Sequence, residues 1–290
     1  MRMLASFLRK GTMQILRIEI KKLLYRRQFW TLLVLLLVTV FLDFVVTCHF
    51  YQEKKLTEIP SAYELMIINN YESPFTGMLF SSFLFFLIAP MMGSDLFLEE
   101  IEKGIHNDLL TRTSRKQIAA SKGVTLMIVV FCAITFCLLI SQILAVSAFP
   151  LQGNLTSKIT YNELMNPDKN RIFSYFQNYM PYMNSLIFIV IRGITGAAAA
   201  FLAFSLTMIP GIKKYILLLV PMLVYIVYSM IMALIASNIE SIPISNVVET
   251  NILAVNGYGS IWMDIGFLLL YFGVGSLLLW KGMRRDACFL

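Results

Sequence analysis

The chain has 290 residues, of which 58% are hydrophobic and 14% charged, and its mean hydropathy is +0.73. Soluble globular domains are about 45–50% apolar and about 25% charged, so these values exclude the ordinary soluble enzyme, and the apolar excess excludes a disordered chain. The net charge is +7, and its placement along the sequence follows membrane topology, which leaves no call for nucleic acid as a partner.

Residues 1–29 open the chain as an amphipathic lead-in. Met13, Leu16, Ile20, Leu23 and Leu24 recur at steps of three and four, while Lys10, Arg17, Lys21 and Lys22 fall off that stripe. A basic amphipathic helix beside a span is expected to lie in the interface, apolar side down and cations toward anionic headgroups. Six apolar blocks follow, at 30–48, 77–97, 124–149, 185–209, 215–236 and 261–280. Each has the length of about 20 residues that a bilayer-crossing helix needs. They do not alternate as the strands of a membrane barrel do. The expected fold is an all-α membrane protein with six transmembrane helices and an N-terminal interfacial helix. It divides into residues 1–29 and a six-span domain over 30–290.

The cations set the orientation. Arg2, Arg9, Lys10, Arg17, Lys21, Lys22, Arg26 and Arg27 precede the first span. Lys103, Arg112, Arg115, Lys116 and Lys122 lie between the second and third, Lys213 and Lys214 between the fourth and fifth, and Lys281, Arg284 and Arg285 after the sixth. The other side holds only Lys54, Lys55, Lys158, Lys169 and Arg171. The positive-inside rule makes the first side, with both termini, cytoplasmic. The outer segments are then 49–76, 150–183 and 237–260. The second is rich in aromatics that suit a membrane boundary (Tyr161, Phe173, Tyr175, Phe176, Tyr179, Tyr182). The third has breakers at Pro243, Gly257 and Gly259 and apolar pieces that suit a re-entrant or surface-lying stretch.

Three ionisable residues fall within the spans: Asp43, Arg192 and Asp264. A lone charge near the bilayer centre costs at least about 2.5 kcal/mol, so such groups pair or line a wet path. Arg192 is expected to pair with Asp43 or Asp264. Gly193, Gly196, Ala197 and Ala200 give the fourth span a smooth packing face, and Gly266, Gly273 and Gly275 are expected to do the same for the sixth. Pro210 and Gly211 make a tight turn between spans four and five.

Chemistry of its own is not expected from this chain. No Walker-type phosphate loop is present, no nucleophile elbow occurs, and the four cysteines and two histidines have no metal-ligand spacing. The catalytic and metal residues are therefore none. The stretch SDLFLEEIEKGIHNDLLTRTSRKQIAASKG stands apart, because a short link between two spans rarely needs so many charges of both signs. Span two is expected to run on into the cytoplasm and break at Gly104, followed by a short helix tipped by Leu109 and Leu110. Such a helix either docks in a groove of another protein or is a solvated hairpin held by i,i+4 ion pairs.

That stretch resembles the region after the second span in ABC-2-type permeases, the membrane subunits of ATP-binding-cassette exporters. The matching residues are Asp95, Glu100, Gly104, Leu109, Leu110, Thr111, Arg112, Ser114, Arg115 and Lys122. The opening RIEIKKLLYRRQFWTLL and the ending LLLWKGMRRDACF are similar to the family's connecting helix and closing span. The resemblance implies a coupling loop over about 98–123 whose helix, around Ile105–Arg115, seats in a nucleotide-binding ATPase subunit. Its site residues would be Asp95, Glu99, Glu100, Gly104 and the Leu109–Arg115 segment. It also implies a second permease copy, as homodimer or heterodimer, in the bacterial cell membrane. No cofactor belongs to this chain; ATP and Mg would sit on the partner ATPase. The expected activity is outward movement of an amphipathic substrate, an antimicrobial peptide or drug-like molecule. An ion-gradient-driven secondary transporter and a non-transporting anchor or sensor subunit are the alternatives.

Overall fold

The computed structural model describes residues 10–55, 58–67, 85–102, 115–151, 176, 179–209, 211–237 and 261–284. Among them every regular element is an α-helix: α1 (Lys10–Leu24), α2 (Arg27–Tyr51), α3 (Phe85–Met91), α4 (Leu96–Glu102), α5 (Arg115–Ala148), α6 (Pro181–Leu206), α7 (Lys214–Ser237) and α8 (Ile261–Arg284). Five of these, α2, α5, α6, α7 and α8, are long and apolar enough to cross a membrane. The chain is thus a multi-pass membrane protein. These five match the first, third, fourth, fifth and sixth apolar blocks. α5 begins well before its block and reaches 34 residues, about 50 Å at 1.5 Å per residue. A hydrocarbon core is about 30 Å thick, so α5 extends beyond it.

The second block departs from the expected uninterrupted run to Gly104. Its described part is two seven-residue helices, α3 and α4, parted by a turn at Met92–Asp95. Pro90 lies near the end of α3; it has no N–H to give and its ring crowds the preceding turn. Ser94 closes the break, its hydroxyl donating to the Pro90 carbonyl at 2.7 Å. Gln28 of α2 donates to the Met91 carbonyl at 3.1 Å, satisfying an acceptor that the broken helix leaves open. Gly93 fits the turn against α1, because a Cβ there would run into Leu23 and meet Leu126 at 3.2 Å.

α6 is the centre of the bundle. It packs on α5, α8, α3 and α7, and Gly193, Gly196, Ala197 and Ala200 are all buried, as the small-residue face predicts. A Cβ on Gly193 would stand 2.5 Å from the Thr135 hydroxyl and 2.8 Å from Phe131, and one on Gly196 would collide with Ile134. The corresponding expectation for α8 holds only at Gly275, where a Cβ would lie 2.9 Å from Phe201. Gly273 has nothing within 4 Å and Gly266 only the Tyr228 hydroxyl at 3.6 Å. Aromatic rings do that work instead. Phe267 of α8 meets Tyr228 of α7 at 5.1 Å and Phe86 of α3 at 5.6 Å, and the Tyr271 hydroxyl donates to the Pro221 carbonyl at 2.5 Å. Gly211 takes φ 76° in the turn between α6 and α7, a conformation that suits glycine.

Residues 58–67, within the expected outer segment 49–76, pack into the bundle. Ala62, Tyr63, Leu65, Met66 and Ile67 are buried at the end of the bundle away from α1. The Ala62 amide donates to the Pro150 carbonyl at 2.9 Å, the Ile67 amide to the Ser141 hydroxyl at 3.1 Å, and the Asn184 amide to the Tyr63 hydroxyl at 3.1 Å. On the outside of the bundle, α2 presents Val34, Leu35, Val38, Phe41, Leu42 and Val45, while α7 presents Leu219, Leu223 and Val227. Apolar stripes of this extent face lipid or another apolar surface.

Candidate functional site

The end of the bundle that carries the cations gathers charged side chains from five places in the chain. Arg26 lies at the corner between α1 and α2, in extended backbone with φ −76° and ψ 124°. The corner is held by Trp30, whose Nε1 donates to the Leu24 carbonyl at 2.6 Å. From there Arg26 reaches the turn before α4, donating to Asp95 at 2.5 Å and 3.3 Å and pairing with Glu99. Lys214, at the first turn of α7, joins the same two carboxylates at 2.5 Å and 3.0 Å. Asp95, in the turn before α4, and Glu99 on it are four residues apart, a spacing at which like charges repel by themselves. Two cations between them reverse that.

One residue on, Glu100 turns to the other side. It takes Lys22 of α1 at 3.1 Å and pairs with Lys122 of α5, and Lys22 also holds Glu19 at 3.2 Å. Lys122 is 5% exposed and sits 5.1 Å from the centre of the Phe97 ring, a favourable place for a cation. Phe97 in turn packs edge-on against Phe204 at the end of α6, 5.8 Å away. Behind Lys122 is a cavity of about 10 Å³ lined by Glu19, Thr125 and Leu126 among others.

Four carboxylates (Glu19, Asp95, Glu99, Glu100) therefore meet four cations (Lys22, Arg26, Lys122, Lys214). Asp95, 2% exposed, shows the balance. Burial pushes its carboxyl up, but hydrogen bonds and charge from Arg26 and Lys214 outweigh burial and hold it below the ordinary 3.8. Charges taken this far out of water are tolerated when each is paired and hydrogen-bonded.

Of the expected coupling residues, Asp95, Glu99 and Glu100 are thus drawn together, and they face cations of the chain itself. Apart from Lys122, those partners come from outside the loop, and none is an i,i+4 neighbour, so in the described part the charges are not an i,i+4 hairpin. Gly104, Leu109, Leu110, Thr111, Arg112 and Ser114 lie outside the described residues, and Arg115 begins α5. Sequence reading missed the roles of Glu19, Lys22, Arg26 and Lys214. Glu19 carried the available signal: it falls among Leu16, Ile20 and Leu23 on the apolar stripe of α1 and is 3% exposed.

Deeper in the bundle Asp43 of α2 is 2% exposed and Arg192 of α6 is 1% exposed, and each is engaged by a neighbour. Arg192 lies within electrostatic range of Tyr225 on α7. Asp264 falls in the first turn of α8, its side chain outside the described part. No group of three or more His, Cys, Asp or Glu able to hold a metal occurs among the described residues. No family model, no curated protein and no solved structure matches the chain.

Proposed function

We propose that the chain is a transmembrane permease subunit of a bacterial ATP-binding-cassette exporter. In this reading it has six spans and cytoplasmic termini, and it moves an amphipathic substrate outward while a separate subunit hydrolyses ATP. The observation that carries the reading is the charge network. The segment around Ile105–Arg115, where the resemblance places the coupling helix, follows α4 and runs into the start of α5. Glu99 and Glu100 of α4 and Lys122 of α5 are tied to each other and to α1, the α1–α2 corner and α7. A displacement delivered to that segment would reach four helices through ion pairs. It would reach the bundle centre through α5, which packs broadly on α6.

The test is co-purification with any ATP-binding subunit encoded beside it, for the parent and for Gly104→Pro with Leu109→Asp. A stable complex that the double change abolishes supports the reading. A chain that purifies alone, or a complex indifferent to the change, overturns it.

The buried Asp43 favours a second reading, ion-gradient-driven transport, because a carboxylate inside a span is the usual place to carry a coupling proton. Uptake into vesicles driven by a pH gradient without ATP, lost in Asp43→Asn, would select it.

A further inference from the structure

A groove of about 490 Å³ runs between α1 and α4 on the cationic end of the bundle. Its apolar wall is Ile18, Tyr25 and Leu96, and its charged rim is Lys21, Lys22, Glu99 and Glu100. The rim charges are not equivalent. Lys22, Glu99 and Glu100 are committed to the network. Lys21 and, one turn before it, Arg17 are exposed, and neither has an ion-pair partner among the described residues. The groove therefore has Lys21 on its rim and Arg17 one turn away, two cations without an ion-pair partner among the described residues, beside an apolar slot.

Its depth follows from the aromatics. Tyr25 is 85% exposed and Trp30 51% exposed, on either side of the corner where α1 meets the first span. Amphipathic rings at the end of a span mark the headgroup layer. Ile18 and Leu24 are also exposed on α1, a costly arrangement in bulk water and a favourable one at the acyl boundary.

We infer that this groove is a binding site for one anionic phospholipid of the adjacent leaflet, its phosphate on Arg17 and Lys21 and an acyl chain along Ile18, Tyr25 and Leu96. The inference rests on the membrane-embedded fold and not on the permease reading. It gives the lipid a bearing on the network, because three groove residues belong to both. An occupied groove holds α1 against α4.

The experiment measures lipid retained on the purified chain after exchange into micelles containing equal phosphatidylglycerol and phosphatidylcholine, counted by native mass spectrometry. Phosphatidylglycerol is expected to be enriched, with one copy resisting exchange. Arg17→Gln with Lys21→Gln should weaken that copy about 30-fold, the equivalent of about 1 kcal/mol for each cation near the surface. Lys54→Gln with Lys55→Gln, at the other end of α2, should leave it in place. Both variants change exposed side chains, and a single symmetric elution peak verifies that each is folded. Millimolar inorganic phosphate should not displace the lipid; displacement would mean a soluble-anion site and overturn the proposal. Equal retention of the two lipids, which leaves the groove to a protein partner, or equal losses in the two variants, would overturn it as well.

Discussion

Glu100→Gln tests whether the charge network holds α4 in place. Glu100 lies with its side chain 8% exposed between Lys122, 4% exposed, and Lys22, 34% exposed. Removing one charge of a buried pair leaves the other without compensation and costs about 3–5 kcal/mol. The Lys22 contact is partly solvated and adds no more than about 1 kcal/mol. Glu100→Gln should therefore lose about 3 kcal/mol, nearly all of it through Lys122. Lys122→Met should lose a similar amount, since it strands Glu100 with Lys22 alone. The double variant buries neither charge and should recover most of the loss, so that the coupling between the two sites is about 2 kcal/mol or more. Lys214→Gln is the contrast: with a side chain 52% exposed it should cost under about 1 kcal/mol. Reversible unfolding in mixed micelles, followed by tryptophan fluorescence, measures all four. Single changes below about 1 kcal/mol, or losses that simply add, would refute the buried pairing.

The remaining predictions concern pH, packing and the interior charge. Asp95 has its pKa lowered in the folded chain, so its stabilisation is complete above the ordinary 3.8 and is lost as pH falls through the lower folded value; stability should be flat through neutral pH and fall in acid, and Asp95→Asn should remove that share of the acid dependence in an unfolding series. Gly196→Ala should cost about 1–3 kcal/mol by overpacking against Ile134 and Phe85, whereas Gly273→Ala, with open space around it, should be neutral or stabilising by up to about 1 kcal/mol; unfolding curves that rank them the other way would contradict the packing of α6. Arg192→Ala should cost about 3 kcal/mol or more, because its neighbours in the interior lose a partner at a site 1% exposed, read as loss of monodisperse protein on extraction; normal yield and normal transport would show that the charge holds nothing.

The helices were legible where hydrophobicity alone decides. Five apolar blocks became five long helices because nothing within them competes with burial in lipid, and Gly193 and Gly196 announced a close packing face that the bundle uses. The second block was misjudged for a local reason: Pro90 and Gly93 sit within an apolar run, and apolarity masks the break they cause. The carboxylates Asp95, Glu99 and Glu100 stand out in the sequence, but their partners do not. Lys22, Arg26 and Lys214 looked like topogenic flanks, because the positive-inside rule accounts for cations one at a time and is silent on which of them meet. Pairing across dozens of residues is set by how helices pack, and only Glu19, an acid on an apolar stripe, hinted at it. The burial of residues 58–67 left no such trace, since no periodicity or charge pattern marks Tyr63 and Met66 in the sequence.

The break at Pro90 and the charge network explain each other. A seven-residue helix is not stable by itself in water, since nucleation is unfavourable and few bonds repay it. Once the second block is interrupted, α4 has no helix behind it to set its direction, so its orientation must come from tertiary contacts. Phe97 packs against Phe204 and Leu96 against the same core, contacts that are apolar and do not discriminate direction. Ion pairs on both sides set the direction: Asp95 and Glu99 toward Arg26 and Lys214, Glu100 toward Lys22 and Lys122. An uninterrupted span would move only as a whole rod. A short helix held by salt bridges on both sides can tilt about the break at Met92–Asp95 while α3 stays seated. That property would suit the coupling segment proposed above, and it puts the greatest sensitivity to substitution at Glu100 and Lys122, where the pairing is most deeply buried.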